Sequence, residues 1–506
     1  MPKPNFVIIM TDTQATNIVG CYGHPGMETP NIDQLAERGK KFLKAYTTCP
    51  LCTPARAGLF SGIYSHTSGP WTNNLPFGDN IKTMGQRFQD LGYHTAYTGK
   101  WHLDGHDYFG TGICPPGWDA NYWFDGKRYL EELTESEIHL WRNGLNSLED
   151  LKRHQISAEF TWAHRVSNRA IDFLKKFNSD PFVLVVSYDE PHHPFTCPPE
   201  YVEKFQNFEY FLGLAGLDTL EGKPSHQREW SRSFGNSITG ERVRHPLYFG
   251  CNSFVDHEIG RVIEAIHQYS PENTYIIYTS DHGDMLGAHQ LRGKGPAAYQ
   301  EITNIPLIIE QPGSRGAGTV NRTPVSHIDL LPTMLELAGG KVVPILEGSS
   351  ITNLLEGQEE KDRAVVIEFN RYEIEHDSFG GYQPLRCIVG QRFKLVINLL
   401  SEDELYDLEN DPAEVHNLID DDQYRDIRDE LHDRLLNWMY EKRDPFRGAY
   451  WERRPWRKSR KLEWRGKFRP RPDDGYAPPV LDYDTGLPSR GVKVEFGQNN
   501  VDRLEK

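Results

Sequence analysis

The stretch Asn5-Phe6-Val7-Ile8-Ile9-Met10-Thr11-Asp12-Thr13-Gln14 decides the fold. Five apolar side chains in a row, β-branched at Val7, Ile8 and Ile9, predict a strand buried on both faces, as in a parallel sheet. The run breaks at a polar tetrad. In open α/β sheets, ligands bind beyond the carboxyl ends of the strands, so Asp12 falls where chemistry is done. The pattern recurs three times. His94–Thr98 runs into Gly99-Lys100-Trp101-His102, Phe182–Val186 into Asp189-Glu190-Pro191-His192-His193-Pro194, and Tyr275–Tyr278 into Ser280-Asp281-His282-Gly283-Asp284. Helical periodicity over 30–39, 81–91, 158–177 and 254–266 separates these strands. The alternation predicts an α/β domain, a large mixed, mostly parallel sheet sandwiched by helices. Parallel strands would bring Asp12, Lys100, His102, His192, Asp281 and His282 to one edge.

The alternation fades after Gly348, and charge clusters between Gln358 and Asp362. We therefore expect a catalytic domain over 1–360 and a smaller C-terminal α+β domain over 361–506, with a helix over 424–440. From about residue 443 the chain turns basic and rich in Pro and Trp, from Arg453-Arg454-Pro455-Trp456-Arg457-Lys458 to Arg469-Pro470-Arg471. This arm is expected to pack on the acidic body or on a second subunit of a homo-oligomer. The 506 residues carry a net charge of -16, which argues against a nucleic-acid partner. No apolar run is long enough to span a membrane, and Phe6–Met10 is too short for a signal-peptide core. The chain reads as soluble and cytoplasmic. Seven scattered cysteines imply no disulfide framework, and the Cys49/Cys52 pair lacks the second pair that zinc would need.

Cys52-Thr53-Pro54-Ala55-Arg56 carries the candidate nucleophile. Proline in a first helical turn costs no hydrogen bond, so Cys52 is expected at the positive end of a helix, with Arg56 one turn on. Asp12, Asp281 and His282, with Gln14, are candidate ligands for one divalent cation. Oxygen donors favour Ca2+ or Mg2+, and the imidazole widens the choice to Mn2+ or zinc. Lys100 and Lys294, the latter between two glycines, are candidate anion ligands, and His102 and His192 candidate acid/base groups. One metal, several cations, two imidazoles and a nucleophile suit sulfuryl or phosphoryl transfer.

These residues resemble the formylglycine-dependent sulfatases of the alkaline phosphatase superfamily, and within them the bacterial cytoplasmic sulfatases. The likeness rests on Asn5–Asp12, Gly20-Cys21-Tyr22-Gly23, the Cys-x-Pro-x-Arg signature at Cys52–Arg56, Gly99–His102, Pro191–Pro194, Ser280–Gly283, Lys294, Ile328–Thr333 and Glu404–Leu408, and spans roughly the first 420 residues. It implies that a maturation enzyme oxidises Cys52 to Cα-formylglycine. The hydrated aldehyde attacks sulfur, and its second hydroxyl then releases sulfate. Lys100 would bind the sulfate, Arg56 hold the formylglycine, His192 and Lys294 serve the leaving oxygen, and His102 assist sulfate release. Calcium is the family's usual metal. The chain departs from the family at Thr13, where a second acidic residue is usual, and at His282, where many members have asparagine. Histidine there also occurs in phosphonate monoester hydrolases, which keeps a phosphonate monoester or phosphodiester substrate as the alternative to a sulfate ester. A sulfated sugar is the expected substrate, with Arg371 and His376, in segments dense in sugar-binding residue types, as candidate contacts to the leaving group. Trp71–Asn74 and Asp104–His106 are expected at the same mouth.

Overall fold

In the computed structural model, which describes residues 3–24, 26–177, 181–233, 240–373 and 381–462, the opening run forms β1 (Asn5–Thr11), buried along its whole length. Along the chain follow β2 (Lys40–Tyr46), β3 (His94–Gly99), β4 (Phe182–Ser187), a ribbon of β5 (Tyr210–Phe211) and β6 (Arg242–Val243), β7 (Thr274–Ser280), β8 (Asn304–Glu310), β9 (Thr319–Asn321) and β10 (Val325–Ser326). The large sheet runs β10-β2-β8-β7-β1-β4-β3, with β9 beside β2. The four strands expected from sequence are contiguous, as β7-β1-β4-β3, and all parallel. β8 runs antiparallel to both its neighbours. The sheet is thus mixed and mostly parallel.

Alternation along β1 sends its side chains into two cores. Val7 and Ile9 pack with helices Pro30–Arg38, Trp162–Lys176 and Pro246–Tyr269. Phe6, Ile8 and Met10 pack with helices Cys52–Ser61, Met84–Asp90 and Leu330–Leu337. Each such apolar side chain contributes roughly 1.5–3 kcal/mol on burial, which pins the strand ends and the groups they carry. The helix expected over 254–266 extends over Pro246–Tyr269, because Pro246 opens it and Tyr248 and Phe249 are buried along it. The expected 81–91 helix is shorter, Met84–Asp90, set by a capping box between Thr83 and Gln86.

A second, antiparallel sheet follows in meander order, β11 (Val365–Arg371), β12 (Tyr382–Val389), β13 (Phe393–Asn398) and β14 (Glu404–Asp407). Helix Arg425–Glu441 covers one face through Leu431, Leu435 and Leu436. The other face packs on Tyr46, Cys49 and Leu51, the segment leading into the Cys52 helix. The described part of the basic arm lies on this smaller body. Arg454 donates to both oxygens of Asp403 at 2.7 and 2.9 Å, and Arg457 to both oxygens of Asp433 at 2.8 Å.

A buried ion pair ties the second sheet to the short helix Ser65–Ser68 of the first body. His66 Nδ1 lies 2.5 Å from Glu368 Oε2 on β11, and Ser65 donates to the other carboxylate oxygen at 2.5 Å. Burial opposes the His66 charge, yet Glu368 overrides it and holds the imidazole up at about 9. Glu368 is held down at about 2, since His66 and Arg386 outweigh its burial. Histidine in an unfolded chain titrates near 6.5. The folded value is higher, so this stabilisation is complete below about 6.5 and is lost as pH rises through about 9. We expect His66→Ala to cost roughly 3 kcal/mol at pH 6, the cost narrowing above pH 9. Urea midpoints of both proteins across that range check this; a gap independent of pH would contradict it.

Candidate active site

The carboxyl ends of β1, β3, β4 and β7 meet the start of helix Cys52–Ser61, whose ten residues are all buried. Leu51, in extended conformation, turns the chain into the helix, so Cys52 occupies its first position. The approach to Thr48 is close: a Cβ on Gly58 would lie 2.5 Å from Thr48 Oγ1. On β3, Gly99 adopts φ 106 beside the Ser187 carbonyl, where a Cβ would sit at 1.8 Å. Only glycine lets the chain turn there to aim Lys100 inward. Thr13 and His102 also hold positive φ, 63 and 58, which is uncommon for a non-glycine residue and unfavourable for a β-branched one.

Asp12, Cys52, Asp281 and His282 each offer a donor atom within 4.8 Å of the others, and all four are buried. Cys52 Sγ lies 3.2 Å from His282 Nε2 and 3.8 Å from Asp12 Oδ1, and accepts from Lys294 Nζ at 2.6 Å. His282 Nδ1 donates to the Gly283 carbonyl at 2.9 Å, which leaves the Nε2 lone pair facing the group. Arg56 clamps the two carboxylates, Nε on Asp281 at 3.0 Å and Nη2 on Asp12 at 3.2 Å. Its Nη1 donates to the Lys100 carbonyl at 2.7 Å and to Ser187 Oγ at 2.9 Å. Lys100 Nζ bridges Asp12 at 2.7 Å and Asp189 at 2.8 Å.

The electrostatics are those of a crowded, dry site. Burial would raise Asp12, but Lys100 and Lys294 hold it well below the usual carboxylate range. Asp281 is pushed up to about 7 by burial and by the charge of Asp12. Two buried carboxylates that repel each other, beside an imidazole kept neutral by burial and by Lys294, fit a divalent cation. Burial, with Asp12, pushes the Cys52 thiol up to about 12 against the opposing pull of Lys294. The unmodified side chain is therefore a protonated thiol. Lys100 and Lys294 stay cationic, since their acidic neighbours override burial.

His102 and His192 flank this group. Both are kept neutral by burial, assisted by Lys100. His102 Nε2 lies 3.0 Å from Asn74 Oδ1, an acceptor, so Nδ1 carries the lone pair, and it is buried without a partner. His192 Nδ1 donates to the His193 carbonyl at 2.8 Å.

The sulfatase family model matches residues 4–340. The chain belongs to the sulfatase family. A further family model, the C-terminal part of N-sulphoglucosamine sulphohydrolase, matches residues 289–441. Among relatives, a sulfatase of Escherichia coli strain K12 named YidJ is 59% identical over 498 residues, covering 98% of this chain and 99% of its own. An N-acetylglucosamine-6-O-sulfatase of Bacteroides thetaiotaomicron is 26% identical, over 88% of each chain. The fold is shared with a phosphonate monoester hydrolase of Agrobacterium radiobacter, TM-score 0.69 at 24% identity, covering 87% of this chain and 96% of that one. This sulfatase is a sulfuric ester hydrolase of alkaline phosphatase-like fold.

Other candidates of the sulfatase lie differently. Gln14 stands apart from the group of four. Its oxygen accepts from Tyr278 and Thr11 and its nitrogen donates to Asn252, so the amide is spent inside the core. Thr13 Oγ1 donates to Asp12 at 2.6 Å, orienting that carboxylate. Arg371 is half-buried at the end of β11, its guanidinium 5.9 Å from the Tyr382 ring. His376 lies outside the described residues. Thr72 and Asn73 bond the Tyr372 carbonyl and the Glu373 carboxylate, bringing the second sheet to the mouth at Trp71–Asn74. Two partners escaped the sequence reading, Asp189 beneath Lys100 and Ser187 beneath Arg56. Asp189 stands just beyond β4 as Asp12 stands just beyond β1, and that strand-end position was the available signal. No described helix is long and apolar enough to cross a membrane.

Proposed function

We propose that this sulfatase hydrolyses the sulfate ester of a sulfated sugar to an alcohol and inorganic sulfate, with Cα-formylglycine at position 52 and one divalent cation. The observation that carries this reading is the buried convergence of Asp12, Cys52, Asp281 and His282 beneath Arg56, Lys100 and Lys294. Asp12, Asp281, His282 and the converted residue 52 would hold the cation, which when bound supplies Lewis-acid polarisation. Calcium suits the oxygen donors, and manganese suits the imidazole. Formylglycine at position 52 would supply a hydrated aldehyde as the nucleophile, at the first position of the Cys52–Ser61 helix.

The chain's own residues do the rest. Lys100, fixed by Asp12 and Asp189, neutralises the sulfate oxygens, and Arg56 fixes both carboxylates. Lys294 retains its proton and is the donor to the leaving oxygen. An arriving sulfate would raise the proton affinity of His192, whose Nδ1 is already committed to a carbonyl, leaving Nε2 to share that work. The unpartnered Nδ1 of His102 is the base for the second hydroxyl. The N-acetylglucosamine-6-O-sulfatase relative supports a sugar as the alcohol.

The test is sulfate release by matured protein from a panel of sulfated sugars and aryl sulfates, against matched phosphonate monoesters. Release from the sulfates is expected; a large preference for phosphonate would move the assignment. For the metal, chelation should abolish turnover. His282→Asn should lower manganese affinity at least tenfold more than calcium affinity, as read by tryptophan fluorescence during metal titration.

A further inference from the structure

Lys294 stands between Gly293 and Gly295, and glycine loses more conformational freedom on ordering than any other residue. Its ammonium nevertheless occupies one place, 2.6 Å from Cys52 Sγ and 3.1 Å from His282 Nε2. The backbone on either side of the lysine must therefore be held from outside. Before it, Gly293 adopts φ 67, its N–H donates to Asp284 Oδ1 at 3.2 Å and its carbonyl accepts from the Met285 N–H at 2.8 Å. After it, the hold comes from helix Ser225–Ser233. His226 Nε2 donates to the Pro296 carbonyl at 2.7 Å. A Cβ on Gly295 would lie 3.2–3.5 Å from three atoms of the Trp230 ring, so the indole edge sits against that backbone. The helix is itself anchored to the second sheet. Gln227 accepts from the Tyr299 hydroxyl at 2.7 Å and donates to Glu404 on β14 at 3.1 Å, and Ser225 donates to Glu402 through its N–H at 2.8 Å and its hydroxyl at 3.0 Å.

We propose that His226 is a positioning residue for Lys294, and that Trp230 completes the clamp from the side of Gly295. The proposal rests on the reading above, in which Lys294 protonates the leaving oxygen, and deepens it. Burial keeps the His226 imidazole neutral, so it has a single N–H, and that N–H is spent on Pro296. The other ring nitrogen, Nδ1, is buried with no partner among the described residues. An unsatisfied buried nitrogen costs stability that an apolar side chain of similar size would not. What the imidazole adds in this place is therefore one hydrogen bond, made to the segment that carries Lys294. His226 and Trp230 touch none of the reacting groups, and their effect passes through the lysine. A displacement of about 1 Å at a reacting group can cost about a hundredfold in rate, and a lysine between two glycines is free to make it once Pro296 is released.

His226→Ala tests this, with His226→Gln as the conservative variant, since a glutamine amide can donate to the same carbonyl. Amide hydrogen exchange of the peptide spanning 293–299 needs no turnover. His226→Ala should raise it at least tenfold, and His226→Gln less than threefold. On phenyl sulfate, whose leaving oxygen needs a proton, His226→Ala should lower kcat/KM at least tenfold. On 4-nitrophenyl sulfate, whose leaving phenolate is stable, the loss should stay below threefold, whereas general damage to the fold would lower both alike. In a Lys294→Ala background, adding His226→Ala should cost less than twofold further on phenyl sulfate, because the two changes remove the same thing. Trp230→Phe, which keeps an aromatic core and withdraws the indole edge from Gly295, should move exchange and substrate bias in the same direction, and carries the test if His226→Ala does not fold. Unchanged exchange, a loss undiminished in the Lys294→Ala background, or a substrate bias that Lys294→Ala shows and His226→Ala lacks would overturn the proposal. A Lys294→Ala protein that loses both esters equally, with its coupling to His226 intact, would instead sink the leaving-oxygen role of Lys294 and leave the clamp standing. If the wild-type protein releases no sulfate at all, the sulfate-ester reading falls and the exchange measurement decides the clamp.

Discussion

Cys52→Ala is expected to reduce sulfate release at least about ten-thousandfold while leaving the fold intact. The thiol is buried at 2% exposure and protonated up to about 12, so at neutral pH it is no thiolate nucleophile. Lys294 and the helix N-terminus both favour an anion there, yet burial and Asp12 outweigh them. If the active group is the formylglycine proposed above, the native peptide containing residue 52 should be about 18 Da lighter than encoded. Across preparations, turnover should scale with the lighter fraction measured by mass spectrometry. Full activity in a preparation that retains the thiol throughout would refute the assignment. Removing one small side chain from a helix that keeps Pro54, Ala55 and Ala57 costs little stability, so a collapsed variant would not explain the loss.

Arg56→Lys is expected to lower kcat/KM by about a hundredfold to a thousandfold, although it preserves the charge. The guanidinium makes four contacts in one plane, to Asp12, Asp281, the Lys100 carbonyl and Ser187. A lysine ammonium is a point donor on an unforked stem and cannot span both carboxylates. If charge alone mattered, the loss would be within about threefold, and that result would remove the clamp from the mechanism. Arg56→Met tests the other half of the argument. It leaves Asp12 and Asp281 side by side with their shared counter-ion gone, at a cost of about 3–5 kcal/mol. Denaturant midpoints should show that loss, and added divalent cation should restore part of it, because a cation relieves the same repulsion.

What the chain disclosed on reading follows from how each segment is buried. β1, β4 and β7 lie inside the sheet, buried along their whole length, so their apolar runs are long and their ends abrupt; β3, the strand at the sheet's end, mixes Thr95 and Thr98 with Ala96 and Tyr97. β2 was not legible, because Lys40, Lys41 and Lys44 interrupt it; the ammonium groups of Lys41 and Lys44 reach the Cys21 and Gln391 carbonyls. β8 carries Pro306, which normally argues against an inner strand. The proline falls where the pairing with β2 slips, between Phe42 and Ala45, so its missing N–H breaks no regular ladder. In the site, Asp12, Lys100 and Asp281 were named from their strand ends, since burying charge is costly and confines it to places of use, whereas Asp189, in the same kind of position, was not. Gln14 was misread because an amide looks alike whether it faces a ligand or a core. Its partners Tyr278 and Asn252 come from segments more than two hundred residues away.

The fully enclosed helix at Cys52–Ser61 also sets an order in time. Its signature segment lies under the second sheet, with Cys49 and Leu51 packed against β11 and β12. A maturation enzyme of the kind the proposal requires would have to reach the Cys52 side chain, which the folded molecule leaves 2% exposed. Residues beyond Val365 must dock before the enclosure is complete, and during synthesis they emerge long after Cys52. The growing chain thus has an interval in which the cysteine is exposed and the sheet that will cover it has yet to be made. Slowing the docking of the second sheet should lengthen that interval, and if residue 52 is converted as proposed, the yield of converted protein would depend on kinetics as much as on sequence.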